Sequence, residues 1–583
     1  MAVIAGIASS HDASACVLRD GRLVAAVSQE RITRRKSDGY RLPLEALDHA
    51  LATAGLSRRD VDAVASIHGF FPERYFRRES LAKELESRLV RARRARRGDE
   101  ERHMNVNDLL KRLSRRGVGV HGHFREADFL EDLGFRSSVR VAFFDHHLTH
   151  AAAAAHASGF ERCAVVTIDG VGDLNQHFTA GVFAEGRLET RAVGDTLGAS
   201  PGEYYEAITK AMGFIPLRHE GKVLGLAARG DPARLHADFR RALRAAPGHR
   251  GFDSDFAGRP DAMVAREAYL AALVKANDRE HVAAAAQRVF EEEIEAVVRA
   301  FLRETGERRL AVNGGVFANV LLNQRLARLP ELDDLYVFPA MSDTGNSVGA
   351  AVLLQAQIDP GFLRRAAFDP APVYLGSEWS DEDCRRALED AGLRGERLEP
   401  AVLVERAARA IHAGRVVGWF QGRMEFGPRA LGNRSMVARP TEHSINDLLN
   451  ARLDRSEFMP FAPSVLAEHA DEIFEDAPRL RRCTPFMTAT CSVRPEWRAR
   501  IPAVVHVDGT ARPQTVTREH NALYWSLIDA YRRLSGIPLV LNTSFNVHEE
   551  PIVCFPQNAV RALVDNRVDA LALGPWWAER ASS

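Results

Sequence analysis

No CxxC pair occurs among the six cysteines of this 583-residue chain, Cys16, Cys163, Cys384, Cys483, Cys491 and Cys554. That scatter fits neither a zinc ribbon nor a disulfide framework, and it suggests a reducing, cytoplasmic setting. An excess of charge is missing too: Lys plus Arg and Asp plus Glu number 78 each. A balanced chain offers no overall field for nucleic acid or an anionic membrane, so neither is expected as a partner and binding must come from a local site. No apolar run approaches the roughly 18 residues that a membrane helix needs. The start, MAVIAGIASSHDAS, has no basic flank and reads as a first strand rather than a leader. What is present is globular: 46% hydrophobic and 27% charged residues, over a length that exceeds one core, so two domains are expected.

Residues 2 to 28 read as strand, polar turn, strand, an Asp20-Gly21 hairpin turn, and strand. The same order returns at 164 to 193, where AVVTI precedes DGVGD, then HFTAGVFA, a turn at Glu185-Gly186, and RLETRAV. Two meanders, each opening on an acidic turn, suggest a duplicated actin-like or sugar-kinase-like architecture around a phosphate-binding cleft; the plainer alternative is two unrelated hairpins. Between them, Arg88 to Arg97 holds six arginines, flanked by Glu84, Glu86, Asp99, Glu100 and Glu101. The flanking acids neutralise the run, so it reads as a solvated helix face rather than a nucleic-acid arm. An amphipathic helix over 282 to 304 leads to a buried strand, LAVNGG, and a further helix reaches Gln357. Pro360, Pro370 and Pro372 mark a crossing, placing the domains at 1–365 and 366–583. The second alternates strand and helix signals, as an α/β domain does.

The sharpest local feature is His146-His147-Leu148-Thr149-His150, after the strand VAFFD and before an alanine-rich run that favours helix. Positions four apart share a helix face, so His146 and His150 can reach one ion while His147 points elsewhere; the same spacing also arises incidentally. Asp169 ends a buried strand, where α/β folds place ligands, and Asp343 sits in MSDTGNS. Two imidazoles with two carboxylates suit iron(II), manganese or zinc, and the sequence does not choose among them. Glycine-rich turns at Gly202, Gly221-Lys222 and Asn313-Gly314-Gly315 let backbone N–H groups approach phosphate, although glycine serves ordinary turns too. Farther on, Arg423, Arg429 and Arg434 share a glycine-broken segment, and Arg512 and Asn542 flank an apolar strand. Clustered guanidinium groups receive phosphate; singly, each more often forms a surface ion pair.

Taken together, HDASA, QERITRRK, HHLTH, TIDGVGD, YYEAITKAMGF, EGKVLGLA, NGGVFAN, GPRALGNRS, FMPFAPSV, DGTARPQTV, LNTSFN and EEPIV resemble, in order and over nearly the whole chain, the NodU/CmcH family of O-carbamoyltransferases. The resemblance implies an actin-like N-terminal domain similar to the tRNA threonylcarbamoyl transferases and a C-terminal YrdC-like domain. It implies that Mg-ATP and carbamoyl phosphate form carbamoyl adenylate, whose carbamoyl group passes to a hydroxyl of a small antibiotic or sugar-containing metabolite. It further implies a divalent metal, iron(II) foremost, on His146, His150, Asp169 and Asp343, with His11, Lys36 and Asp169 catalytic. Nucleotide would lie against Lys36, Gly170, Val171, Gly202, Lys222, Gly314, Gly315 and Asn319, and carbamoyl phosphate against Arg423, Arg455, Arg512 and Asn542. The sequence departs from the family pattern at Leu453, where lysine is expected, Ser456 for glutamate, Met459 for arginine and Glu549 for glycine. Losing cations weakens a phosphate site. Two alternatives therefore stand beside the first reading: a nucleotide-binding partner protein with a degenerate second domain, or transfer from a different carbamoyl or acyl donor.

Overall fold

The computed structural model describes residues 2–76, 103–105, 124–365, 373–454 and 461–580, with side chains left aside at 103–105 and Glu73. The arginine run at 88 to 97, Pro370 and Pro372 at the expected crossing, and Arg455, Ser456 and Met459 lie outside the described residues. Two five-stranded sheets share one strand order. In the first, Val3–Ala8, Ser14–Arg19 and Arg22–Ser28 form an antiparallel meander, and Ala63–Ile67 and Arg140–Phe144 extend it in parallel. In the second, Arg162–Ile168, Phe178–Ala184 and Arg187–Gly194 form the meander, and Arg309–Asn313 and Asp334–Val337 extend it in parallel. The hairpin turns match as well: φ is 52° and 76° at Asp20-Gly21 and 52° and 72° at Glu185-Gly186. Positive φ at both central residues gives the turn whose twist suits a tight hairpin. The duplication expected from the sequence is thus present.

Two helices lie between the sheets, and each crosses to the other repeat. His146–Ser158 follows the last strand of the first sheet yet packs on Arg162–Ile168 and Arg309–Asn313, while Asn346–Ile358 packs on Val3–Ala8 and Ala63–Ile67. Small residues let the two helices touch. Ala151 to Ala155 are buried, and a Cβ added at Gly349 would stand 1.9 Å from the Thr149 carbonyl oxygen. Covered on both faces, Val3–Ala8 is buried at every position.

The second part is mixed α/β around an eight-stranded sheet. Its order is Glu396–Arg397, Trp576–Glu579, Ala570–Leu573, Val417–Phe420, Arg434–Ala438, Leu539–Ser544, Ala462–Leu466 and Gln514–Val516. Helices Pro400–His412 and Ala522–Ser535 pack together against it. It is fastened to the first part by specific contacts: Asn323 Nδ2 donates to the Thr488 carbonyl at 2.6 Å, and Arg328 pairs with Asp476 at 2.8 Å. All six cysteines are buried and free. No helix among the described residues is long and apolar enough to cross a membrane.

Candidate functional site

The helix carrying the histidines begins sharply because the Asp145 side chain accepts the Leu148 N–H at 2.9 Å, and it stops at Gly159, φ 67°. The first turn therefore holds His146 and His150 on one side. Their Nε2 atoms lie 3.2 Å apart. Asp169 Oδ2 is 3.3 Å from His146 Nε2 and 3.0 Å from His150 Nε2, and Asp343 Oδ1 is 3.3 Å and 3.5 Å from the same atoms. Donor atoms about 2.0–2.2 Å from one ion sit about 3.0–3.6 Å from each other, so the spacing suits nitrogen and oxygen ligation. Two imidazole nitrogens thus face each other and the same two carboxylates, a set that could hold a cation. Asp343 Oδ1 lies within 3.5 Å of both Nε2 atoms, so each carboxylate faces both imidazoles. His147 is a core residue, its Nδ1 2.7 Å from Thr167 Oγ1 and its Nε2 3.0 Å from the Gln176 carbonyl; burial brings it down to about 3.

Charge is concentrated here. Burial disfavours an imidazolium at His146, but Asp343 and Asp169 outweigh it and raise the ring to about 9. His150 is raised against burial by its hydrogen bonds to the same carboxylates. Asp169 and Asp343 would be pushed up by burial, yet the histidines hold both below the carboxylate range. His11 joins the cluster, its Nδ1 3.1 Å from Asp343 Oδ2 and its Nε2 3.5 Å from Asp12 Oδ2. Burial opposes its charge, and the two aspartates raise it well above the ordinary histidine value.

One cavity of about 840 Å³ joins this cluster to the second part of the chain. His11, His146, Asp169 and Asp343 of the first part and Arg429, Arg512 and Asn542 of the second line it. Lys36, Gly170, Val171, Gly202, Lys222, Gly315 and Asn319 also line it. Lys36 Nζ is 3.5 Å from Glu30 Oε1, and Lys222 Nζ lies 5.5 Å from the Phe214 ring centre. Two expected turns prove to be helical: Gly202 is in the first turn of Pro201–Ala211 and Gly221 in that of Glu220–Ala227. Gly202 is small because the Gly170 backbone nitrogen would stand 2.6 Å from an added Cβ. Gly314 does follow a strand. Its φ of 109° and a gap of 2.2 Å from an added Cβ to the Ile168 carbonyl oxygen give it a packing role where two strand ends meet.

Among the arginines, Arg423 faces away from the cavity. Its Nη2 donates to the carbonyls of Val24 at 2.7 Å and Leu375 at 2.8 Å, fixing the junction between the two parts. Arg429, six residues on, lines the cavity; desolvation brings it down to about 10, and no described carboxylate pairs with it. Asn542 Nδ2 donates to Ser464 Oγ at 2.9 Å and to Ala430 O and Gln514 Oε1 at 3.1 Å, leaving Oδ1 buried without a partner among the described residues. Arg434 is a core residue bonded to the carbonyls of Gln421, Asn433, Ser377 and Gly422. Leu453 is fully buried in the apolar core. Sequence reasoning also passed over Asp12 and Asp173, although both lie in quoted motifs; Asp173 Oδ2 accepts the His146 N–H at 3.3 Å and sits 2.7 Å from His68 Nδ1.

A second convergence, His219, His548 and Glu549, lies on the same cavity. His219 Nδ1 accepts the Ile215 N–H at 3.2 Å, so its proton is on Nε2, which donates to Glu549 Oε1 at 2.7 Å. Arg218 pairs with the other oxygen at 3.2 Å. Burial raises the Glu549 carboxyl, and these partners bring it below its ordinary value. The cluster is a clasp between the two parts of the chain, in a tautomer that does not present nitrogen to a metal.

Family models of the carbamoyltransferase N-terminus and C-terminus match residues 3–352 and 408–580. Nodulation protein NolNO of Sinorhizobium fredii is 35% identical, over 97% of this chain and 78% of its own. Nodulation protein U of Rhizobium tropici is 28% identical, over 94% of this chain and 91% of its own. Among solved structures, HypF of T. kodakarensis aligns with 62% of this chain and 48% of its own at 13% identity and a TM-score of 0.31. Component A of the Acidaminococcus fermentans (R)-2-hydroxyglutaryl-CoA dehydratase aligns with 60% and 97% at 12% identity and a TM-score of 0.34.

Proposed function

The chain belongs to the carbamoyltransferase family, whose two models together span most of it, and from that premise we propose an ATP-dependent O-carbamoyltransferase working through carbamoyl adenylate. In this reading the second part is a YrdC-like unit in which carbamoyl phosphate, water and ATP yield carbamoyl adenylate, phosphate and pyrophosphate. The first part, akin to tRNA threonylcarbamoyl transferases, then moves the carbamoyl group to a hydroxyl. The acceptor oxygen bonds to the carbamoyl carbon, the bond from that carbon to the adenylate oxygen breaks, and AMP leaves. The observation that carries the proposal is the shared cavity, lined by His146, Asp169 and Asp343 of the four-donor cluster and by Arg429, Arg512 and Asn542 of the second part.

His146, His150, Asp169 and Asp343 would hold a divalent ion, with iron(II), zinc and manganese all matching the donor set. Such an ion supplies Lewis-acid polarisation of a carbonyl or phosphoryl oxygen. Lys36 and Lys222 offset phosphate charge, while Gly170, Val171, Gly202, Gly315 and Asn319 let nucleotide approach the backbone. Arg429 and Arg512 receive the phosphate of the carbamoyl donor beside Asn542, and Arg423 stays a junction residue. His11 takes the hydroxyl proton on its neutral ring; burial disfavours the charged ring, whereas Asp12 first and then Asp343 favour it. The test is incubation of the full chain with ATP, carbamoyl phosphate, iron(II) and a panel of hydroxylated metabolites, read by mass spectrometry and AMP release. One added carbamoyl group per acceptor with AMP is expected. ADP in place of AMP, or carbamoylation without ATP, overturns the adenylate route.

A further inference from the structure

Beside His11 the cavity wall changes character. Tyr40 and Phe70 meet edge to face with ring centres 4.7 Å apart. The Tyr40 N–H donates to the Ser10 carbonyl and the Phe70 N–H to the Ser9 carbonyl, so both rings are fixed to the strand end that leads into His11. Tyr40 is 49% exposed, and Val171 and Leu217, which line the same cavity, are 50% exposed. Scattered exposed apolar side chains are ordinary, but these line one cavity. Two of them also have costly backbone: φ is 58° at Tyr40 and 63° at Leu217. A left-handed residue with a Cβ costs about 1 kcal/mol or more, and glycine at either position would relieve it. Charge of both signs also lines the cavity: Asp12, Glu206 and Glu220 with Lys36, Lys222 and Arg218.

We propose that Tyr40, Phe70 and Leu217 form the acceptor subsite, and that it takes a ring with an apolar face, stacked on Tyr40 with its hydroxyl toward His11. The direction of the hydroxyl rests on the transferase reading above; ring binding does not, and it is measured without ATP or carbamoyl phosphate. The experiment is saturation-transfer NMR on the full chain with phenyl β-D-glucopyranoside, methyl β-D-glucopyranoside and glucose 6-phosphate. Phenyl glucoside is expected to receive the most saturation, and the methyl glucoside and the phosphate ester less. Tyr40→Gly, whose backbone suits φ 58° and so keeps Tm, should weaken phenyl glucoside binding at least about tenfold, and Tyr40→Phe should restore it. Equal binding by wild type and Tyr40→Gly at unchanged Tm, no glycoside binding to wild type, or preference for glucose 6-phosphate would each overturn the subsite. Failure of AMP release with intact ring binding would instead sink the adenylate reading alone.

Discussion

The two repeats share strand order, hairpin turn and helix placement, yet they carry different chemistry at matching points. Where the first strand ends, the first repeat presents His11 and the second presents Asp169. Where the last strand gives way to the crossing helix, the first presents His146 and His150 and the second Asp343. Imidazoles come from one half and carboxylates from the other. The two repeats supply the frame, and side chains at their strand and helix ends meet as a cluster whose spacing could hold a metal ion. Neither repeat holds a complete donor set.

The most damaging way to break this pairing is to remove one donor. His150→Ala is expected to lower metal affinity and carbamoyl transfer by at least about a hundredfold, since even an outer-shell partner is worth about tenfold to a hundredfold; metal content by mass spectrometry and product formation check it, and retained metal at unchanged affinity would disprove the assignment. Next in size, Gly349→Val should force the crossing helices apart at the Thr149 carbonyl and cost about 3 kcal/mol of stability, read by denaturant unfolding.

A pH series sharpens the comparison by probing a buried histidine that ligates nothing. His177, 2% exposed, is brought down to about 4 by burial, with the Arg266 charge acting the same way. The unfolded chain binds this proton near pH 6.5 and the folded chain only near pH 4, so stability present above pH 6.5 is lost as pH falls toward 4. Between pH 7 and pH 5 the loss attributable to this ring is about 2 kcal/mol, and His177→Leu should flatten that part of the profile. The smallest effect is expected at the clasp. Glu549→Gly relieves φ 63° but removes the pairs to His219 and Arg218, and because the carboxylate is part-exposed the two nearly cancel, leaving Tm shifted by less than about 1 kcal/mol equivalent.

Legibility in the sequence followed the range of the interaction. Hairpins were readable because Asp20-Gly21 and Glu185-Gly186 act within four residues, and His146 with His150 because a helix repeats every turn. Family resemblance brought Asp169 and Asp343 to the same ion, a meeting that depends on sheet order and that spacing alone does not encode. The exchange of helices between repeats left no local mark. Arg423 and Arg429 show the limit most plainly: both sit in one glycine-broken segment, and the fold of that turn alone decides which faces the cavity and which locks the junction. Glu549 reads as a lost glycine in the sequence, while the structure gives its carboxylate two partners across the junction.

The four donors enter from three separate stretches of chain, at 146 to 150, at 169 and at 343. An unfolded chain cannot assemble them, so an ion held there acts as a ligand of the native state only. By mass action, free metal at a hundred times its dissociation constant would add about 2.7 kcal/mol to unfolding, drawn from both repeats at once. Chelation would then lower the melting temperature of the two halves together, in a single transition.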